Sequence, residues 1–371
     1  MPVPVRRTAM KLSDGRELIY FDRASSPIRQ GVDSRGLEPG STAQGSIRYD
    51  ALTGEWVSVA GHRQTRIFLP SASDCPICPT VDGWLSEIPE SQYDVVVFEN
   101  RFPSFLVGER WESPQEFPEL GTQIPAHGRC EVVAFTSNHV GSIATLSTDE
   151  MSLVMSAWID RTRELREQEG IRYVFVFENR GAEIGVTLHH PHGQIYAYPY
   201  LPATMRSQME QSAKYFNQSG QQLLESLLTF EREAGERIIF EDEHWIALIP
   251  FAARWPYEIQ IHPKAARKSL PELTDDEQDS FCASYPRLIR ALDSMFAMPL
   301  PYMSGWHQMP AQASVEEVRD SRLFLRLISN RRAADKLKYL AGSESLMGSF
   351  INDVTAEQSA KQIREAYEAT S

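Results

Sequence analysis

The period of the hydrophobic pattern changes along the chain, and each change marks an element. Tyr173-Val174-Phe175-Val176-Phe177 is a continuous apolar run that predicts a buried strand. Glu178-Asn179-Arg180-Gly181 predicts the turn after it, and Ile195–Tyr198 a second strand. Asp94–Phe98 and Arg129–Phe135 read as further strands. From Ser147 the period becomes helical. Ser147-Thr148-Asp149-Glu150 is a capping box, and Met151, Val154, Met155, Trp158 and Ile159 then share one helix face.

The plan recurs in the second half. Trp245–Ile249 and Trp255–Lys264 read as strands, and Thr274-Asp275-Asp276-Glu277 is another capping box. Phe281, Tyr285, Leu288, Ile289 and Leu292 form the apolar face of its helix. A third helix, capped by Thr355 with Gln358, lies near the C-terminus. Strand, strand and capped helix therefore occur twice, which predicts an internal duplication. The expected class is α+β, with two tandem domains of antiparallel sheet and packed helices. The boundary falls in the polar, helix-prone stretch after Pro202, giving domains 1–204 and 205–371.

Composition narrows the partners. The chain has 371 residues and a formal net charge of −13. That charge argues against non-specific binding to nucleic acid or to an anionic membrane. No apolar run approaches membrane-spanning length, and the basic N-terminus lacks the apolar stretch of a signal peptide. Four cysteines, two of them in Cys75-Pro76-Ile77-Cys78, point to a reduced compartment and a metal, so the expected location is cytoplasmic. A redox dithiol fits less well, because no helix pattern follows and Pro79 intervenes. Two thiolates holding one zinc ion need two more ligands.

The candidate chemistry centres on Gly185–Gln194, which holds His189, His190 and His192. Imidazole titrates near neutrality, binds metals and can act as a nucleophile. Gly193 admits close approach of the backbone, and the Gln194 amide can meet an oxyanion. The segment is expected to be a tight, exposed element between two strands. Arg63 and Arg66 could grip phosphate through their forked donors, or could be ordinary solvated charges.

His190-Pro191-His192-Gly193-Gln194, after Phe177-Glu178-Asn179-Arg180-Gly181, resembles the signature of the galactose-1-phosphate uridylyltransferases, a branch of the histidine-triad superfamily. The resemblance extends over nearly the whole chain. It implies transfer of UMP from UDP-glucose to galactose 1-phosphate through a uridylyl-histidine intermediate, with His192 as nucleophile and Gln194 meeting charge on phosphorus. His139 and His190 match the third and fourth ligands of one structural zinc ion, beside Cys75 and Cys78. Arg63, Arg66, Asn100, Asn179 and Thr187 match substrate contacts. Lys338 and Glu344, in Lys338–Ser345, match contacts to the hexose phosphate and sugar, and a homodimer is implied. Two departures stand out. Many members build a second metal site from a His-x-His pair, a Gly-Trp-His histidine and an upstream Glu. Here only His307 remains: the pair falls on Leu323 and Leu325, the acid on Gln208, so no second metal is expected. Phe350 stands where several members have a substrate-binding Gln. A related nucleotide-sugar phosphorylase or adenylyltransferase, and a non-catalytic zinc-stabilised nucleotide-binding protein, are the alternative readings.

Overall fold

In the computed structural model, the described residues are 4–38, 45–61, 70–81, 83–106, 120–296 and 298–370. The strands are β1 (Val5–Lys11), β2 (Glu17–Arg23), β3 (Ser46–Asp50), β4 (Glu55–Val59), β5 (Val95–Glu99), β6 (Gln123–Pro125), β7 (Arg129–Ala134), β8 (Tyr173–Arg180), β9 (His192–Tyr198), β10 (Ile238–Glu241), β11 (Trp245–Leu248), β12 (Tyr257–Pro263), β13 (Tyr302–His307), β14 (Phe324–Ser329), β15 (Arg331–Ala333) and β16 (Lys336–Leu337). The helices are α1 (Thr148–Arg166), α2 (Ala203–Ser219), α3 (Leu223–Ala234), α4 (Asp275–Ser294), α5 (Val315–Asp320), α6 (Gly342–Met347) and α7 (Ala356–Ala369).

One 11-stranded sheet runs β1-β2-β5-β7-β9-β8-β13-β14-β12-β11-β10. Its pairings are antiparallel throughout. Read outward from the centre, β8-β9-β7-β5-β2 matches β13-β14-β12-β11-β10, so the duplication is visible as a two-fold repeat of strand order. The halves meet where β8 pairs β13, from Tyr302↔Arg180 to Gly305↔Phe177. β3, β4 and β6 form a smaller sheet, and β15 pairs β16.

Alternation along the strands sends one set of side chains to each face of the sheet. The inner face carries Val174, Val176, Ile195, Ile259 and Leu327, covered by α1, α4 and α7 in the principal core. Both capping boxes form, Ser147 accepting from the Glu150 N–H and Thr274 from the Glu277 N–H. Each satisfies N-terminal donors that a helix cannot bond internally. Phe281, Tyr285, Leu288, Ile289 and Leu292 are all buried on α4. α7 begins after Thr355, whose hydroxyl accepts from the Gln358 N–H.

Three expectations need correction. The strand predicted to end at Phe177 continues through Glu178-Asn179-Arg180, because β13 supplies partners that local sequence does not show. The histidine segment is not wholly exposed: His190 is 1% accessible, and His192 is the first residue of β9. Finally, Leu323 and Leu325 point into the inner core. It is Phe324 that lies opposite His307 on the outer face. A one-residue shift in register exchanges the two faces of a strand, so the outward positions are the neighbours of those inferred by counting.

Candidate active site and metal cluster

On the outer face of the first half, the segment after Pro70 returns over β2, β5 and β7. Cys75, Ile77, Ile88 and Tyr93 pack there on Val96, Phe98, Val132 and Ala134. This places the thiols beside the histidine segment. The ligand atoms of Cys75, Cys78, His139 and His190 all lie within 4.8 Å of one another. Cys78 Sγ is 3.3 Å from His139 Nδ1 and 3.4 Å from His190 Nδ1. A tetrahedral zinc with bonds of about 2.0 to 2.3 Å has ligand–ligand edges near these lengths. The other nitrogen of His190 donates to the Thr136 carbonyl at 2.7 Å, with the Tyr93 hydroxyl 3.1 Å away. That fixes the ring and turns Nδ1 toward the cluster, the usual supporting contact for a ligating imidazole. Burial pushes the Cys78 thiol up to about 12, with Cys75 adding to the shift, and pushes His190 down to about 4. Two thiols beside two imidazoles are a donor set that a divalent cation would satisfy. The residues present could therefore hold a metal.

His192 lies two residues beyond His190. Its Nδ1–H donates to the His190 carbonyl at 2.7 Å. With the proton on Nδ1, Nε2 carries the lone pair. Gly193 is required between them and the next strand: a Cβ there would stand 2.8 Å from Phe135 Cζ and 2.9 Å from the Phe177 carbonyl oxygen. Gln194 follows on the outer face, with its Oε1 buried and unpartnered. His192 and Gln194 line a pocket with Asn100, Arg101, Phe102, Thr187, Leu188, Phe98, Val132, Pro76, Ile77 and Glu87. Apolar Phe98, Val132 and Ile77 suit a base; Asn100, Thr187 and Gln194 supply polar contacts at the same opening.

The register carries this site across the sheet. Val132, Gln194, Phe177, Gly305 and Arg326 form one outward row, each paired with the next. Asn179 lies on β8 beside Met303 and faces a second, larger cavity of about 450 Å³ under the start of α2. The fold thus brings Asn100, Thr187, His192 and Gln194 together and puts Asn179 one strand away. Lys338 and Glu344 line neither cavity. Lys338 Nζ donates to the carbonyls of Arg254, at 3.0 Å, and Ile351, and stands 3.9 Å from Glu344. Arg63 and Arg66 lie outside the described residues. His189 is exposed. His307 Nδ1 lies 3.2 Å from Gln208 Oε1. The expected upstream position is therefore beside the histidine. The His307 ring stacks on Phe324 at 4.4 Å, and His262 stacks on the same Phe324 at 4.9 Å. His262 is buried, with Nε2 3.0 Å from Gln260 Oε1.

Sequence reading missed Glu87 and Arg101. Glu87 is buried under the pocket, within 2.5 Å of Arg16 and 3.0 Å of Arg35; half-exposed Arg101 is 3.8 Å away. The adjacency of Arg101 to Asn100 was the available signal. Glu178 was also overlooked. It is buried, accepts from the Tyr302 hydroxyl at 2.9 Å, and is pushed up by desolvation to about 7.

The sequence matches two family profiles, galactose-1-phosphate uridyl transferase N-terminal domain over residues 38–202 and C-terminal domain over residues 208–370. It is 42% identical over 310 residues to a galactose-1-phosphate uridylyltransferase of Streptomyces lividans, covering 82% of this chain and 81% of that one. It is 37% identical to the enzyme of the same name from Thermotoga maritima, covering 86% and 98%. Among solved structures, a uridylyltransferase superposes with a TM-score of 0.76 at 29% identity, over 87% of this chain and 99% of the other.

Proposed function

The chain belongs to the galactose-1-phosphate uridylyltransferase family, and we propose on that premise how its residues move UMP from UDP-glucose to galactose 1-phosphate, giving UDP-galactose and glucose 1-phosphate. The observation that carries the assignment is the Nδ1–H bond from His192 to the His190 carbonyl, beside Gln194 in the pocket. His192 Nε2 attacks the α-phosphorus. A P–N bond forms, the bond to the bridging oxygen breaks, and its electron pair leaves on glucose 1-phosphate. A phosphate oxygen of galactose 1-phosphate then attacks the same phosphorus and returns the pair to Nε2. A neutral imidazole has no charge to repel the anionic phosphorus and departs again readily. Both leaving groups are ionised phosphates, so no strong general acid is required. The Gln194 amide meets charge on the non-bridging oxygens, with Thr187 assisting. Asn100 and Asn179 position the nucleotide, and Arg63 and Arg66 grip phosphate.

Cys75, Cys78, His139 and His190 would hold one zinc ion per chain. Bound there, the ion would tie the segment of Cys75 and Cys78 to His190, and so hold the loop that carries His192. The halves 1–204 and 205–371 read as a catalytic domain and a degenerate copy. We read the enzyme as a cytoplasmic homodimer in which Lys338 and Glu344 reach the hexose of a neighbouring copy's site. Exposed Tyr339, Leu346, Met347 and Ile351 around them suit such a contact. None of the four cysteines is in a disulfide, consistent with a reducing compartment. No helix among the described residues is long and apolar enough to cross a membrane. The test is to incubate the protein with UDP-glucose and examine it by mass spectrometry for one acid-labile uridylyl group, on His192. No adduct, with exchange activity present, would exclude the covalent route.

A further inference from the structure

The family profile begins at residue 38, yet the stretch before it builds the back wall of the nucleotide pocket. β2 pairs with β5 from Phe21↔Val95 to Leu18↔Phe98. The turn ahead of β2 therefore lies at the end of β5, where Asn100, Arg101 and Phe102 line the pocket. Arg16 stands there, just before β2, with its side chain 12% accessible. Nε donates to Asp14 at 2.8 Å, Nη1 to the Glu99 carbonyl at 2.9 Å and Nη2 to Glu87 Oε2 at 2.5 Å. Arg35 stands 3.0 Å from the other oxygen, Glu87 Oε1, and donates to Asp33 at 2.8 and 2.9 Å. Asp33 in turn accepts from the N–H and hydroxyl of Ser13, so both arginines belong to one assembly.

Glu87 carries this assembly into the pocket. It lines the wall with His192 and Gln194, and its N–H donates to the Pro76 carbonyl, between the two cysteines, at 2.8 Å. A nucleotide brings negative phosphate to the same space, and a carboxylate there repels it unless its charge is matched. Here each oxygen of Glu87 meets a guanidinium. With half-exposed Arg101 3.8 Å from Oε1, three arginines stand among three carboxylates, Asp14, Asp33 and Glu87. Loss of one arginine leaves one negative charge in excess beside the phosphate. Arg16 also fixes the peptide ahead of Asn100, whose Oδ1 accepts from the Phe102 N–H at 2.9 Å. A guanidinium suits this place, because its planar fork holds three acceptors in fixed directions.

We propose that Arg16 and Arg35 are positioning residues for the nucleotide. They hold Glu87 in the pocket wall and cancel its charge, and so let the pocket accept an anion. The proposal rests on the transfer reaction given above and gives the stretch before residue 38 a part in it. Arg23 supplies a control. It closes the far end of β2, pairing with Asp94 at 2.6 Å, roughly 20 Å along the strand from Arg16. Arg23→Met breaks the same kind of bond without approaching the pocket.

The experiment measures UMP affinity by calorimetry, KM and kcat for UDP-glucose, and melting temperature. Arg16→Met should weaken UMP binding and raise KM about tenfold, with kcat within about threefold of wild type. Arg35→Met should act in the same direction, and it decides the matter if Arg16→Met does not fold. Arg23→Met should lose comparable stability and keep its UMP affinity. Glu87→Gln added to Arg16→Met should restore part of the UMP affinity, because the unmatched charge is gone. A role in stability alone predicts instead that the losses add. UMP affinity within about twofold of wild type in both Arg16→Met and Arg35→Met overturns the proposal. So does equal weakening in Arg23→Met, or a double variant that binds no tighter than Arg16→Met. If wild type binds UMP but exchanges no uridylyl group, the reaction assignment fails and the UMP series still decides the role of the arginines. If wild type binds no UMP, both fall.

Discussion

The two halves present the same strand order to solvent and finish it differently. In the first, a loop covers β2, β5 and β7 and is tied by the Cys75, Cys78, His139 and His190 cluster, leaving a pocket at His192. In the second, α2 and α3 cover the equivalent face. Leu228 packs on Ile246 and Leu248, and the ring of Phe324 is held between His262 and His307. β9 and β14 both lie one strand out from the centre; one opens on His192 and the other on Phe324. Two positions further, Gln194 is matched by Arg326. The lesson is that one face can be anchored in two ways, by a set of convergent ligand side chains or by a stack of rings. A four-ligand cluster stiffens a loop without filling the volume beside it, whereas a ring stack stabilises by filling it.

The comparison breaks first at its catalytic member. His192→Gly should lower exchange about 10⁴-fold or more, with metal content and melting temperature near wild type. Added imidazole should restore uridylyl transfer to itself. Substantial exchange in His192→Ala without imidazole would remove the nucleophile from the first half.

The matching residue of the second half should show the reverse. Phe324→Ala removes a buried ring and should cost about 3 kcal/mol in chemical denaturation. The uridylyl adduct should still form. Metal analysis sharpens the same contrast: one tightly bound ion per chain in wild type, lost in Cys75→Ser and kept in Phe324→Ala. Two ions per chain would contradict the assignment.

His190→Asn tests the cluster from inside the motif. It should weaken zinc retention and lower thermal stability, and misalignment of His192 should cost about 100-fold in rate, with some adduct still formed. His192→Asn should keep zinc and stability and form none. His190→Asn with full zinc and stability but no adduct would mean the two histidines have exchanged roles.

The smallest effect lies at the seam. Glu178 is inside β8, opposite Gly193 of one half and Ser304 of the other, and burial raises its carboxyl from 4.5 to about 7. Because the native state holds the proton more tightly, the favourable contribution is complete below pH 4.5 and is lost as pH rises through 7. Wild type should therefore lose a few degrees of melting temperature between pH 5 and 8 that Glu178→Gln does not lose. Equal slopes for the two proteins would show that Glu178 stays ionised throughout.

Much of this was legible in the chain. His190-Pro191-His192-Gly193-Gln194 and Cys75-Pro76-Ile77-Cys78 carry their chemistry in consecutive residues. The boxes at Ser147 and Thr274 carry helix starts within four. What escaped depends on pairing between distant segments. Local sequence puts Asn179 in a turn, whereas pairing with β13, more than 120 residues later, keeps it in a strand. Counting assigns the lost His-x-His pair to Leu323 and Leu325, whereas the register puts Phe324 opposite His307. Lys338 and Glu344 match their motif, yet within one chain they bind each other's neighbourhood rather than the pocket.

The pairing of β8 with β13 also governs how the chain can fold. Both strands are central, and each is flanked on its other side by its own half. A fragment ending near Pro202 would expose β8 along its length, with unbonded amides and carbonyls and an apolar inner face beside them. Such an edge invites pairing with any other chain. The fragment should aggregate when made alone and stay dispersed when made together with the remainder, which offers β13 as its natural cover. Synthesis from the N-terminus therefore leaves the first half waiting, with β8 uncovered, until β13 at Tyr302–His307 has emerged, about 100 residues after the half ends.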